Sequence, residues 1–100
     1  MSNTADTKHR WSETDDIAAL YVYRFGYRGI ARSRNTLANL LGLPAGSFGM
    51  RIKNFEAIDN GGGLSNYARQ SAGVYDRHKL TTEPELRAIL LAAINKRRSP

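Results

Sequence analysis

Few residues of this chain have types and spacings that would support chemistry, and most are excluded by their neighbours. There is no cysteine, which removes disulfides, thiolate metal sites and a thiol nucleophile together. The two histidines, His9 and His78, have no further ligands at metal-binding spacing, so no metal and no cofactor is expected. Asp15 and Asp16 are adjacent carboxylates. Adjacent residues on a helix point in different directions, so the two do not share a substrate, and as helix-start acids they already have a role. Asp59-Asn60-Gly61-Gly62-Gly63 resembles a phosphate-cradling loop only in its glycines. It lacks the preceding strand and the following Lys-Ser or Lys-Thr that such a loop requires. No catalytic set emerges, and the chain is not expected to be an enzyme.

Positive charge is what remains. Fifteen Lys and Arg against nine Asp and Glu give a net charge of +6 and a pI of about 10.1. A small protein this basic points to a polyanionic partner. The distribution is more telling than the total. No acid occurs between Ile17 and Phe55, a stretch that holds Arg24, Arg28, Arg32, Arg34, Arg51 and Lys53. Asp6, Glu13, Asp15 and Asp16 precede it, and Glu56 and Asp59 follow it. A solvated face normally mixes signs, and a one-sign stretch of this length suits a surface that meets phosphate.

These residues must be positioned by helices. One hundred residues, 41% of them apolar, make one domain. The expected organisation is a disordered tail over 1–11 and a single helical domain over 12–98. The fold class expected is all-α, with four to five short helices around a helix-turn-helix. Ser12 and Asp15 form a capping box for the first helix, whose buried face carries Ile17, Leu20, Tyr21 and Phe25, with Gly26 and Gly29 ending it. Its aromatics are chiefly packing residues, with Tyr23 and Tyr27 the candidates for a sugar or phosphate contact. A less regular helical stretch around Tyr67, Val74 and Tyr75 is expected to break or bend at Gly73. The last helix opens with Thr82, Pro84 and Glu85 and carries the apolar stripe Leu86, Ile89, Leu90, Ala93 and Ile94. Leu91 lies off that stripe, so helix 83–96 is also a candidate homodimer surface. No run approaches the length of a membrane span, and the N-terminus does not read as a secretion signal. A cytoplasmic, nucleoid-associated location is expected.

Residues 33–55 have the layout of a helix-turn-helix. Ser33 caps a helix over about 34–41, Ala38 gives the close approach two crossing helices need, Gly42 tolerates positive φ in the turn, and Leu43 plugs the gap. Ser47 is expected to cap the next helix, anchored by Phe48, Ile52 and Phe55. In the usual pattern the second inward position of that helix falls at Arg51, whereas the apolar residue here is Ile52. A turn one residue longer, through Pro44-Ala45-Gly46, accommodates the difference. Docked in a major groove, this helix offers Ser47, Gly49, Met50, Arg51 and Asn54 to base edges, since Arg pairs with guanine and Asn with adenine. Arg28, Arg32, Arg34 and Lys53 suit phosphates, which position without specifying. Lys8-His9-Arg10 is either an unstructured basic tail or a minor-groove arm.

The run from Leu20 to Tyr75 resembles the helical region that precedes the nuclease module in many bacterial HNH endonuclease-like proteins. The matching residues include Ala19-Leu20-Tyr21, Leu37-Ala38-Asn39-Leu40-Leu41-Gly42, Ser47 through Phe55, Ile58-Asp59 and Gly63-Leu64-Ser65. The resemblance implies a DNA-binding role. The nuclease activity is not expected to carry over, because the chain has no cysteine and no downstream histidine pair. The expected function is sequence-specific binding of double-stranded DNA, as a transcriptional regulator of a phage, mobile-element or defence locus. The alternative is a non-catalytic adaptor that docks a nuclease or polymerase subunit through the C-terminal helix.

Overall fold

Ser12 opens the first helix by local hydrogen bonding. Its hydroxyl accepts the Asp15 amide at 3.1 Å, and the Asp15 carboxylate accepts the Ser12 amide at 3.0 Å. Such a cap is worth about 1 kcal/mol. The computed structural model of the chain describes residues 11–61 and 69–98. Within them run α1 (Glu13–Phe25), α2 (Arg34–Leu41), α3 (Ala45–Asp59), α4 (Arg69–His78) and α5 (Glu83–Arg98), with a 3-10 turn at Arg28–Ile30. No strand occurs among the described residues, and the fold is all-helical. Residues 1–10 and Tyr67 lie outside that description. Trp11, counted with the tail in the sequence reading, packs on the fold instead.

α1 is the central element. Every residue from Asp15 to Val22 is buried, as expected of a helix with neighbours on several sides. α3, α4 and α5 pack around it, and α2 packs on α3 and α5. Tyr21, Phe48, Phe55, Leu20, Leu37, Leu41, Val74, Leu86 and Leu90 are the largest fully buried apolar side chains of the core. Each contributes about 1.5–3 kcal/mol by leaving water.

α2 and the connection to α3 follow local chemistry. The Ser33 hydroxyl accepts the Thr36 amide at 3.2 Å. Gly42 sits at φ 75°, ψ 27°, a left-handed conformation that suits glycine, and its amide returns to Ala38 and Asn39 carbonyls. The next residue, Leu43, donates its amide to the Ala38 carbonyl at 2.8 Å and is buried.

α3 departs from expectation at its start. It starts at Ala45, after Pro44, and Ser47 lies inside its first turn rather than capping it. Pro44 is the cap residue, extended at φ −64° and ψ 133°, and its carbonyl accepts the Phe48 amide at 3.0 Å. The connection is therefore Gly42-Leu43-Pro44, and no longer turn through Gly46 is needed. At the far end α3 runs on to Asp59, with Asn60 as its cap and Gly61 at φ 92°. α4 passes through Gly73 without interruption. In α5, Thr82 and Glu85 hydrogen-bond reciprocally as expected, and Leu86, Leu90 and Ile94 are buried.

Candidate nucleic-acid interface

α3 has two chemically different sides. On its inner flank Arg51 donates from Nε to Asp16 Oδ1 at 2.6 Å and from Nη2 to Asp16 Oδ2 at 3.1 Å. Asp16 is completely buried. It also accepts from Gln70 Nε2 at 2.6 Å and from the Ser71 hydroxyl at 2.8 Å. The Trp11 ring covers the guanidinium, whose carbon lies 4.5 Å from the ring centroid, and Gln70 donates to the Trp11 carbonyl. One carboxylate thus joins α1, α3 and α4 and draws in residue 11. A buried charge is tolerated only when paired and hydrogen-bonded in this way. Arg51, expected from the sequence at base edges, is placed by the fold in this cluster. Its guanidinium is held inside by Asp16, and reaching a base would leave a buried carboxylate unpaired.

The outer face of α3 carries the other assigned residues. Ser47, Met50 and Lys53 are exposed, Met50 to 68%, while Gly49 and Asn54 are half-buried. They fall on successive turns at helical spacing. Arg34, the first residue of α2, is exposed and reaches across to Gly49. A Cβ built on Gly49 would stand 3.1 Å from Arg34 Nη1 and 3.8 Å from its Cζ.

The cations divide by partner. Arg51 is paired with Asp16, Arg77 with Glu13 and Arg87 with Glu83. Arg24 donates to the carbonyls of His78 and Thr81 at the end of α4. Lys79 stands over the Tyr75 ring. Arg28, Arg32, Arg34 and Lys53 have no carboxylate partner among the described residues; Arg69 on α4 and Lys96 on α5 are alike in this. Arg28 projects from the 3-10 turn. Ala31 follows it at φ 54°, a left-handed conformation that costs a side-chain-bearing residue about 1–2 kcal/mol. Arg32 comes next, half-buried, its Nε without a hydrogen-bond partner. A shallow groove of about 450 Å³ adjoins the start of α3, lined by Asn35, Thr36, Asn39, Leu40, Leu43 and Ala45, none of them charged.

The tyrosines separate in the same manner. Tyr23 donates to Asp59 at 2.6 Å, Tyr75 donates to the same carboxylate, and Tyr21 donates to Glu83 at 2.5 Å. Desolvation, with the Glu83 hydrogen bond, pushes the Tyr21 hydroxyl up to about 12. The bond to Asp59 does the same for Tyr23. The bonds from Tyr23 and Tyr75 hold the Asp59 carboxyl below the usual carboxylate range. Tyr23 is thus engaged inside the fold. Tyr27 is half-buried near Arg34, its hydroxyl raised by burial and partly lowered by that guanidinium.

Among the described residues no group of three or more His, Cys, Asp or Glu could hold a metal ion. None of the described helices is long and apolar enough to cross a membrane. His78 is half-buried, its ring Nδ1 3.1 Å from the Thr81 hydroxyl.

Sequence reasoning missed the Asp16 cluster. Its members Gln70 and Ser71 lie 54 and 55 residues from Asp16, too far for any spacing rule. Two local signals were nevertheless present. Asp16 stands one helical turn before the buried Leu20, and the helix-turn-helix pattern itself places Arg51 at an inward position. Comparison with known protein families, with curated proteins and with solved structures finds no match.

Proposed function

We propose that this protein binds double-stranded DNA sequence-specifically, as a transcriptional regulator of a phage, mobile-element or defence locus acting in the cytoplasm on the nucleoid. α2 and α3 are the two helices of a helix-turn-helix, and the outer face of α3 enters the major groove. The observation that carries this reading is the division among the cations. Arg28, Arg32, Arg34 and Lys53 lie around α2 and α3 with no carboxylate partner among the described residues, as do Arg69 on α4 and Lys96 on α5, whereas Arg51, Arg77 and Arg87 are neutralised within the fold. Unneutralised cations gathered around one pair of helices are the means by which a protein displaces counterions from a duplex. In this arrangement Ser47, Met50 and Asn54 meet base edges at the open face of α3 and Gly49 permits close approach. Arg28, Arg32, Arg34 and Lys53 meet phosphates. Arg51 positions α3 from behind.

Selection of the full chain against a random duplex library at about 150 mM salt tests the reading, since non-specific binding is then weak. An enriched sequence supports it. Binding that is salt-sensitive and without sequence preference counts against a regulator.

A second reading draws on α5. Ala88, Leu91 and Ala92 are exposed together on its outward side, Leu91 to 37%. A homodimer or an adaptor contact would form there. Sedimentation at micromolar concentration with and without duplex DNA separates the two readings, and a palindromic selected site goes with the dimer.

A further inference from the structure

The first turns of α3 are short of groups able to read a base. Gly46 and Gly49 stand three residues apart and share a face with Lys53, four residues beyond Gly49. Nothing lies within 4 Å of a Cβ built on Gly46. The one side chain over this bare face comes from another helix. Arg34 lays its guanidinium along Gly49, with Nη1 at 3.1 Å, Cζ at 3.8 Å and Cδ at 3.9 Å from the place a Cβ would take. No carboxylate among the described residues holds it. Meanwhile Arg51, the only arginine within α3 itself, is fixed on Asp16.

We infer that Arg34, seated over Gly49, is the specificity-determining arginine of this interface and reads a guanine edge in place of Arg51. The inference rests on the DNA-binding reading above and changes Arg34 from a phosphate contact to a base contact. A guanidinium offers two parallel N–H donors that match the O6 and N7 acceptors of guanine in the major groove. Carried on α2 and lying along α3, it enters the groove with α3. An alanine Cβ at position 49 would stand 3.1 Å from Nη1, so the guanidinium would have to give by a few tenths of an ångström, and a larger side chain would take its seat.

The test uses the full chain and four proteins: the parent, Arg34→Ala, Arg34→Lys and Gly49→Ala. Affinity is measured on the duplex selected by the parent and on duplexes in which each guanine is replaced by each other base. For the parent, one guanine position is expected to matter by about tenfold or more. Arg34→Ala is expected to abolish discrimination at that position alone. Arg34→Lys is expected to keep the salt dependence but not the discrimination, because an ammonium lacks the planar fork. Gly49→Ala is expected to weaken the same discrimination while its thermal midpoint holds or rises, since alanine is the better helix former. That last result separates the seat from any general loss of folding.

Uniform weakening of Arg34→Ala on every duplex, restored by Arg34→Lys, overturns the inference and makes Arg34 a phosphate contact, with the DNA-binding reading intact. A selected site whose guanines are all insensitive to Arg34 also overturns it. Failure of the parent to select any sequence overturns both.

Discussion

Arg51 and Lys53 are two residues apart on α3 and have opposite surroundings. Arg51 is 15% exposed and held by a fully buried carboxylate. Lys53 is exposed and has no acid partner among the described residues. Two residues correspond to about 200° around a helix, so one side chain points into the protein and the other away from it. Equal formal charges therefore do unequal work. The inner one offsets a buried carboxylate and fixes the orientation of α3 against α1 and α4. The outer one leaves its field in solvent, where it is available to an anion. Counting cations along the sequence treats both alike; only the outer kind belongs to a phosphate-facing surface.

The largest effect is expected where the inner pair is broken. Asp16→Asn leaves the half-buried Arg51 guanidinium without its counter-charge, and urea denaturation should show a loss of about 3–5 kcal/mol. Unchanged stability would mean that the inner and outer cations do not differ as described. Next comes Gly29, where an added Cβ would stand 2.2 Å from the Tyr21 hydroxyl and 2.8 Å from the Glu83 carboxylate. Gly29→Ala must displace a buried tyrosine from its acceptor, at a cost of about 1–3 kcal/mol in the same assay.

A pH series sharpens the contrast without mutation. Tyr21 and Tyr23 are raised to about 12 in the folded protein, against an ordinary value of 10.0. Their contribution to stability is fully present below pH 10.0 and is lost as pH rises towards about 12, because the unfolded tyrosines ionise first. Stability should fall across that window, and less steeply in a Tyr21→Phe, Tyr23→Phe variant.

The smallest stability effect belongs to the outer face. Lys53→Ala should alter unfolding free energy by no more than about 0.5 kcal/mol. It should nevertheless lower the slope of log affinity for duplex DNA against log salt by about one. A Lys53→Ala protein with normal stability and an unchanged slope would remove Lys53 from the interface.

The fold was largely legible where hydrogen bonds are local. Ser12, Ser33, Gly42 and Thr82 mark helix ends because each cap is closed by residues within five positions. The start of α3 was misread because two local rules compete. Ser47 is a good cap by type, but Pro44, extended at φ −64° and ψ 133°, takes the cap position, so the helix begins at Ala45. The candidate surface was legible as a charge pattern, and its outward members Ser47, Met50 and Lys53 follow from helical spacing. The pairing of Arg51 with Asp16 was not legible, because spacing alone does not reveal what the inward side meets.

The sequence by itself determined that this chain is a cysteine-free, basic bundle of helices, with its acid-free stretch running through α2 and most of α3. Those properties depend on composition and on contacts between near neighbours. Only the tertiary structure decided which cations are neutralised. Asp16 and Arg51 are 35 residues apart, and Tyr21 and Glu83 are 62 apart. Such pairs form only when separate helices pack, because the free energy of a buried charge depends on every group around it and not on its position along the chain.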